Sequence, residues 1–205
     1  MKIIPIVLIL LLSLGCQPSP RQTGPADKKQ IPQAIPEPEP VIKGLRDKFL
    51  TSKPEEFGFS QQDSKPIAWG ILMEIGFPKA LATLTSFRDG NASLYVGTGG
   101  GIIGGIGHEK VRKAAISFVE ESEKYLSGMD KTEAFPYPAV GRVRFYVLTF
   151  NGVLTAEAGL NELGDSKHKL SPLFYSGQEV LTQLNSVSDS LKEDEPNKSV
   201  NRTRN

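Results

Sequence analysis

The chain is poor in cysteine and has no excess of charge of either sign. Its 205 residues include one cysteine, Cys16, and 24 basic side chains stand against 23 acidic ones. A single cysteine excludes an intrachain disulfide and any zinc or iron–sulfur site built from several thiolates. A formal net charge of +1 lacks the basic excess that neutralises phosphates, so we expect no nucleic-acid partner.

Long apolar runs are also scarce, and the one at the N-terminus is short. It covers residues 3–14, whereas a helix that spans a bilayer needs roughly 20 apolar residues. The run follows Lys2 and precedes Gly15-Cys16, which is the order of a signal peptide: a cation, an apolar stretch and a small residue. Within it, the segment Leu12-Ser13-Leu14-Gly15-Cys16 resembles the lipobox of bacterial lipoproteins.

This resemblance implies a signal peptide over residues 1–15 and lipid attached to Cys16. The family has a small residue before its cysteine, as Gly15 is here, while Ser13 replaces the usual leucine. A diacylglycerol on the sulfur and a further acyl chain such as palmitate on the new amino group give stable anchoring to a membrane. The implied location is the cell envelope of a bacterium. Because Gln17 rather than aspartate follows, the family pattern favours the periplasmic side of the outer membrane in a Gram-negative cell. The alternative is an ordinary secretory signal that contains a cysteine.

The segments on either side of the central region are polar. Residues 17–40 hold seven of the chain's 15 prolines, which fix φ and remove backbone donors. We therefore predict a lipid-anchored, proline-rich disordered linker over 16–40, with a proline motif for a partner domain as the alternative. Residues 186–205 are charged and lack a period, so they are predicted to be a disordered polar tail.

The central residues 41–185 predict a single α+β domain with a mainly antiparallel five-stranded sheet flanked by helices. Three strands form a meander, and a helix and a two-strand hairpin follow. The predicted strands cover 67–75, 80–88, 92–97, 142–149 and 153–158. Asp89-Gly90 is typical of a type I′ turn, and Asn151-Gly152 marks the later hairpin. Apolar residues at helical spacing predict one helix near Ile42, a second over 111–126 and a third that begins at Ser171-Pro172.

The glycine-rich segment 97–107 holds seven of the 20 glycines. It formally matches the dinucleotide fingerprint G-x-G-x-x-G, but an antiparallel meander precedes it instead of a βαβ unit, so we expect no cofactor. A glycine loop before a helix can instead direct amides at a small anion. The candidate ligand-binding residues are then Gly99, Gly101, Gly104, His108, Lys110 and Arg112. The alternative is a tightly packed connection beside a solvated cationic face.

Two other sequence patterns resemble catalytic motifs but do not meet their requirements. His108-Glu109 begins like the zinc motif HExxH, but Arg112 holds the second histidine position, so no metal site is predicted. His168 lies in a charged loop that formally contains S-x-x-K, without the convergent geometry that a triad needs. We predict no catalytic residue. Trp69 is predicted to lie in the core, and Arg142 and Arg144 on an exposed strand face beside Tyr146.

Two functions from different classes remain. The first is a membrane-anchored, non-catalytic binding or interaction domain with an envelope protein as its partner. The second is a small-anion sensor or enzyme centred on residues 97–107 and His108. The second requires Gly99, Gly101, Arg112, His108 and His168 to converge on one concave pocket, which a structure can test.

Overall fold

A computed structural model describes residues 33–60 and 68–193. The chain divides into two units, Met1–Ile31 and Pro32–Asn205, and all described residues belong to the second. The predicted signal peptide over 1–15, the predicted lipidation site Cys16 and most of the predicted linker lie outside the described residues. Along the described part of the chain, no helix has the length and hydropathy needed to cross a membrane.

The described residues form an α+β fold with one open sheet and four α-helices. The helices are α1 (Pro40–Thr51), α2 (Glu109–Ser122), α3 (Leu160–Gly164) and α4 (Ser171–Glu193). The strands are β1 (Ala68–Gly76), β2 (Leu81–Phe87), β3 (Ala92–Val96), β4 (Gly101–Ile102), β5 (Asp130–Thr132), β6 (Arg142–Thr149) and β7 (Gly152–Gly159). Short 3-10 turns cover Pro54–Phe57, Gly105–Gly107 and Glu123–Gly128. The strand order is β4-β3-β2-β1-β6-β7-β5, and all of these neighbours pair antiparallel.

The prediction of five strands was wrong, because the described sheet has seven. The two extra strands, β4 and β5, are two and three residues long and form the two edges of the sheet. Neither is long enough to show the alternation by which a strand is recognised in sequence. β4 also begins with a glycine, a residue that is depleted in strands.

Both faces of the sheet are covered, which explains why β1 is an almost continuous apolar run. α2 and α4 pack on one face, where their side chains surround Ile71, Met73 and Phe145. On the other face α1 contributes Phe49 and Leu50 to a second core. That core also contains Trp69, Leu72, Tyr146 and Leu148. All nine residues of β1 are consequently buried.

The prediction that Trp69 belongs to the core is confirmed, since only 2% of its surface is exposed. Its ring stacks on Phe57 with centroids 5.8 Å apart. A register shift between Ala68 and Gly70 allows this contact, because the extra residue turns Trp69 towards the α1 face.

The two predicted hairpins form at the predicted places, but the first turn is not type I′. That type needs positive φ at both central residues. Of Asp89 and Gly90, only the glycine has one, at 93°. The Gly90 amide donates to the Phe87 carbonyl at 3.0 Å and the Phe87 amide to the Asn91 carbonyl at 2.8 Å. Gly90 is therefore the last residue of a four-residue turn over 87–90 and not a central residue of a type I′ turn.

α1 is fixed to the sheet by a buried ion pair. Arg46 is 3% exposed and Glu74, on β1, is fully buried. Two parallel hydrogen bonds join them, from Nε to Oε1 at 2.7 Å and from Nη2 to Oε2 at 2.8 Å. Arg46 also donates to the Phe135 carbonyl at 2.9 Å, and Thr83 donates to Glu74 at 3.1 Å. Burial acts to lower the pKa of Arg46, but the bonds and charge of Glu74 outweigh it and raise that pKa above its usual value.

The prediction of an exposed arginine face beside Tyr146 is met only in part, since the side chains of Arg142 and Arg144 are 41% and 21% exposed. Tyr146 is fully buried, and its hydroxyl donates to the Pro136 carbonyl at 2.6 Å. Arg142 and Arg144 both bind Glu157 on the neighbouring strand, with Nε–O distances of 2.9 and 2.8 Å. Both arginines are therefore paired with an acidic side chain of the same sheet.

The folded part extends beyond 41–185 at both ends. α4 continues to Glu193, so the first eight residues of the predicted tail are helical. Upstream, Gln33 accepts a hydrogen bond from the Val140 amide at 3.0 Å, and the Glu39 amide donates to the Gly97 carbonyl at 2.9 Å. Residues 33–39, which fall within the predicted linker, thus contact the domain.

Replacing Arg46 by methionine should destabilise the protein by about 3–5 kcal/mol, because Glu74 would remain buried without a partner. The double variant Arg46→Met, Glu74→Leu should recover most of this loss, since no buried charge remains. Lys43→Met is the matched control on the same helix. It removes an exposed pair with Asp47 and should leave the midpoint of urea unfolding almost unchanged. Equal midpoints for Arg46→Met and Lys43→Met would contradict this account.

Candidate functional site

The glycine-rich segment forms the edge of the sheet. Leu94 pairs with Ile102 and Tyr95 with Gly101, so the chain turns back after β3 and adds two residues as β4. A 3-10 turn at Gly105–Gly107 then leads into α2. A phosphate-binding loop directs its backbone amides at the ligand. Here part of that backbone is instead paired with β3 or folded into the 3-10 turn.

Close packing explains two of the glycines. A Cβ on Gly101 would lie 2.2 Å from the Leu94 carbonyl oxygen, and one on Gly105 would lie 2.4 Å from Val111 Cγ1. At Gly99 the nearest group is the carboxylate of Glu39, about 3.0 Å from an added Cβ. A carboxylate of the chain itself therefore lies where an external anion was predicted.

The six candidate ligand-binding residues lie in separate places. Gly99 and Gly101 lie at the β3–β4 edge beside Glu39 and Leu94. Gly104 donates to Ser93 Oγ at 3.4 Å. The Arg112 side chain packs on the turn at Gly90, where an added Cβ would lie 2.1 Å from its Cγ.

His108 and Lys110 line an open groove between the start of α2 and the second half of α4, with a cavity volume of about 530 Å³. The other lining residues are Gly107, Glu109, Gln183, Ser186 and Val187. Beside it, Lys113 forms a 2.7 Å ion pair with Glu109. The hydrogen bond from Lys113 lowers the pKa of Glu109. The groove thus carries both basic and acidic side chains, so its charge favours neither an anionic nor a cationic ligand.

The second histidine lies at the far end of α4. His168 Nδ1 accepts a hydrogen bond from the Leu170 amide at 3.2 Å, in the turn that precedes the helix. Ser186, beside His108, is 15 residues after Ser171, which corresponds to about 22 Å along a helix. The two histidines are therefore not neighbours. Among the described residues, no group of three or more His, Cys, Asp or Glu side chains is placed to hold a metal ion.

A different concave surface, lined mostly by apolar side chains, lies on the face of the sheet that α4 covers. We call it the apolar groove. Its cavity volume is about 420 Å³. The sheet side consists of Ile75, Ala82, Leu94 and Val96, and the opposite side of Leu160, Phe174, Gln178, Leu181, Thr182 and Asn185 on α3 and α4, with Phe77 beside them. This volume lies within the range of about 300–1,000 Å³ that is usual for ligand sites.

One residue on the sheet side of the apolar groove is small. Ala82 on β2 is paired with Ile75 on one side and Val96 on the other. All three side chains point to the same face, so the alanine leaves a depression between two larger residues. Phe77 forms part of the lining and is 40% exposed, so an aromatic surface remains accessible there.

Sequence reasoning missed the apolar groove because its lining comes from two stretches of chain, 75–96 and 160–185, that are distant in sequence. The signal available in the sequence was the spacing of Leu94 and Val96, which places them on one face of β3 but does not show what covers that face. Compared with known protein families, curated proteins and solved structures, the chain shows no match. Its function is therefore inferred from the geometry of the domain and from the sequence itself.

Gly101→Ala should destabilise the protein by about 2 kcal/mol, because its Cβ would collide with a backbone carbonyl and strain the β3–β4 edge. Gly107→Ala is the matched control, since an added Cβ there meets no atom within 4 Å. Thermal unfolding of the two variants measures the difference. If both melt together, close packing does not explain the glycine at position 101.

Proposed function

We propose that the protein is a cell-envelope lipoprotein, held to a bacterial membrane by lipid on Cys16, whose α+β domain is a non-catalytic binding domain. The anchor rests on residues 12–16 and their resemblance to the lipobox. The binding role rests on one observation, the ligand-sized apolar groove with an exposed aromatic residue, Phe77. A concave, mostly apolar surface of this volume with a few polar groups is the usual form of a small-molecule site.

The length of chain before the domain fits a tethered position. Gln33 is bonded to Val140, and the 16 residues 17–32 precede it. A proline-rich chain extends by about 3.1 Å per residue, so these residues could hold the domain up to roughly 50 Å from an anchored Cys16. That distance allows a partner to be reached away from the membrane surface.

The rival function, an anion sensor or enzyme centred on residues 97–107 and His108, receives less support. Its candidate residues are dispersed, and Glu39 approaches Gly99. Thermal-shift measurements with phosphate, nucleotides and sugar phosphates compare the two proposals. We expect no rise in melting temperature with any of them. A rise that is lost in Lys110→Gln but kept in Lys124→Gln, an exposed lysine near the opposite end of the same helical segment, would favour the rival.

The anchor is tested by Cys16→Ala in the full chain expressed in bacteria. The variant should leave the membrane fraction and lose incorporation of labelled palmitate, because no thiol remains to carry lipid. Ser13→Ala is the control, since it alters the same segment but keeps the cysteine, and it should stay in the membrane. Retention of Cys16→Ala in the membrane at the wild-type level would show that the anchor lies elsewhere.

A further inference from the structure

We infer that the apolar groove binds an uncharged amphiphile, a single aliphatic chain with a neutral hydroxyl, ester or amide head. This inference rests on the proposed binding function of the domain but not on its anchor. It commits to a free, monomeric ligand rather than to a membrane surface. Three properties of the groove carry it: the shape of its floor, the position of its polar groups and the charge of its lining.

The floor accepts an apolar chain. Ile75 and Phe174 are buried, at 5% and 6% exposure, and the depression over Ala82 lies beside Ile75. Phe77, which is partly exposed, contributes an apolar surface to the same lining. A flexible aliphatic chain that fills this depression removes apolar surface from water on both sides of the contact.

The polar groups are confined to one side. Gln178, Thr182 and Asn185 are four and three residues apart, so they follow one side of α4. Their side chains are half-buried or exposed, and Thr182 Oγ1 already donates to the Gln178 carbonyl at 2.9 Å. Amide and hydroxyl groups both donate and accept, which suits a neutral head that also does both.

The charge of the groove selects against an ionised head. None of the eleven described residues that line it carries a charge. A carboxylate or phosphate bound beside the half-buried Gln178 would lose part of its hydration without gaining a cationic partner. A neutral head loses less hydration free energy there and finds hydrogen-bond partners along α4.

An extended peptide fits this groove less well than an aliphatic chain. A bound peptide would bring its backbone N–H and carbonyl groups over the floor, where Ile75, Ala82, Leu94 and Val96 offer side chains with no polar atom. Backbone groups buried without partners are unfavourable. An aliphatic chain has no such groups.

The binding test uses the full chain carrying Cys16→Ser, which removes the predicted lipidation site, purified without detergent. The probe is 1-monododecanoylglycerol below its micelle concentration, titrated by calorimetry, with dodecanoate at the same chain length for comparison. We expect one saturable site for the glycerol ester and at least about tenfold weaker binding of the carboxylate. The absence of saturable binding, or equal affinity for both probes, would overturn the inference.

Three variants locate the site and its charge preference. Ala82→Leu fills the depression and should abolish binding, whereas Ala114→Leu, the same change on a partly buried alanine of α2 outside the groove, should not alter it. Thr182→Lys places a cation on the exposed side and should improve dodecanoate binding by about fivefold. Unchanged binding in Ala82→Leu, with a wild-type melting temperature, would place the ligand elsewhere and overturn the assignment.

Two further outcomes separate this inference from the proposed function. Tighter binding of a neutral capped peptide of alternating valine and threonine than of the ester would overturn the ligand class while leaving a binding domain. Binding only to neutral phosphatidylcholine vesicles, and not to the monomeric ester, would also overturn it. Membrane retention of the wild-type chain is measured separately, so a failure of the anchor does not alter the interpretation of these titrations.

Discussion

The ion pair between Arg46 and Glu74 is the constraint on which the arrangement of the domain depends. A fully buried carboxylate near the end of β1 is costly unless a cation is held against it. The cation comes from α1, so this helix must lie across the sheet at one register. Once α1 is fixed there, Phe49 and Leu50 reach the aromatic residues of the second core, and the Phe135 carbonyl is drawn to the same guanidinium.

The two faces of the sheet are consequently covered in different ways. The α1 face combines aromatic packing with paired charges, including Arg144 and Glu157. The opposite face is covered by α2 and α4, whose apolar side chains surround Ile71, Met73 and Phe145. Where α4 passes over Ala82 it meets a small residue between two larger ones, and the apolar groove results. The apolar groove therefore results from the small size of Ala82 and not from a loop that encloses a site.

The sequence predicted what depends on local pattern and missed what depends on pairing across the chain. Periodicity located the long strands and helices, and Asn151-Gly152 marked a hairpin that forms. The two edge strands were missed because two or three residues show no period. Glu74 could be interpreted only as an interruption of an apolar run, because its partner lies 28 residues away. Likewise, the glycines at 99–104 suggested a ligand loop, whereas Gly101 is required by its contact with a carbonyl oxygen of β3.

The segment 33–39 also determines how the domain would respond to a pulling force applied at its N-terminal side. Two backbone hydrogen bonds, from Val140 to Gln33 and from Glu39 to Gly97, hold this segment, together with the burial of Pro38. α1 begins directly after Glu39. A pull on residue 33 would therefore act first on a single hydrogen bond next to β6 and then on one at the end of β3. Only afterwards would it reach the buried Arg46–Glu74 pair, whose separation exposes a charge. Tension would thus break the contacts of residues 33–39 before it reached the buried ion pair. Several residues of chain would be released before the core is disturbed.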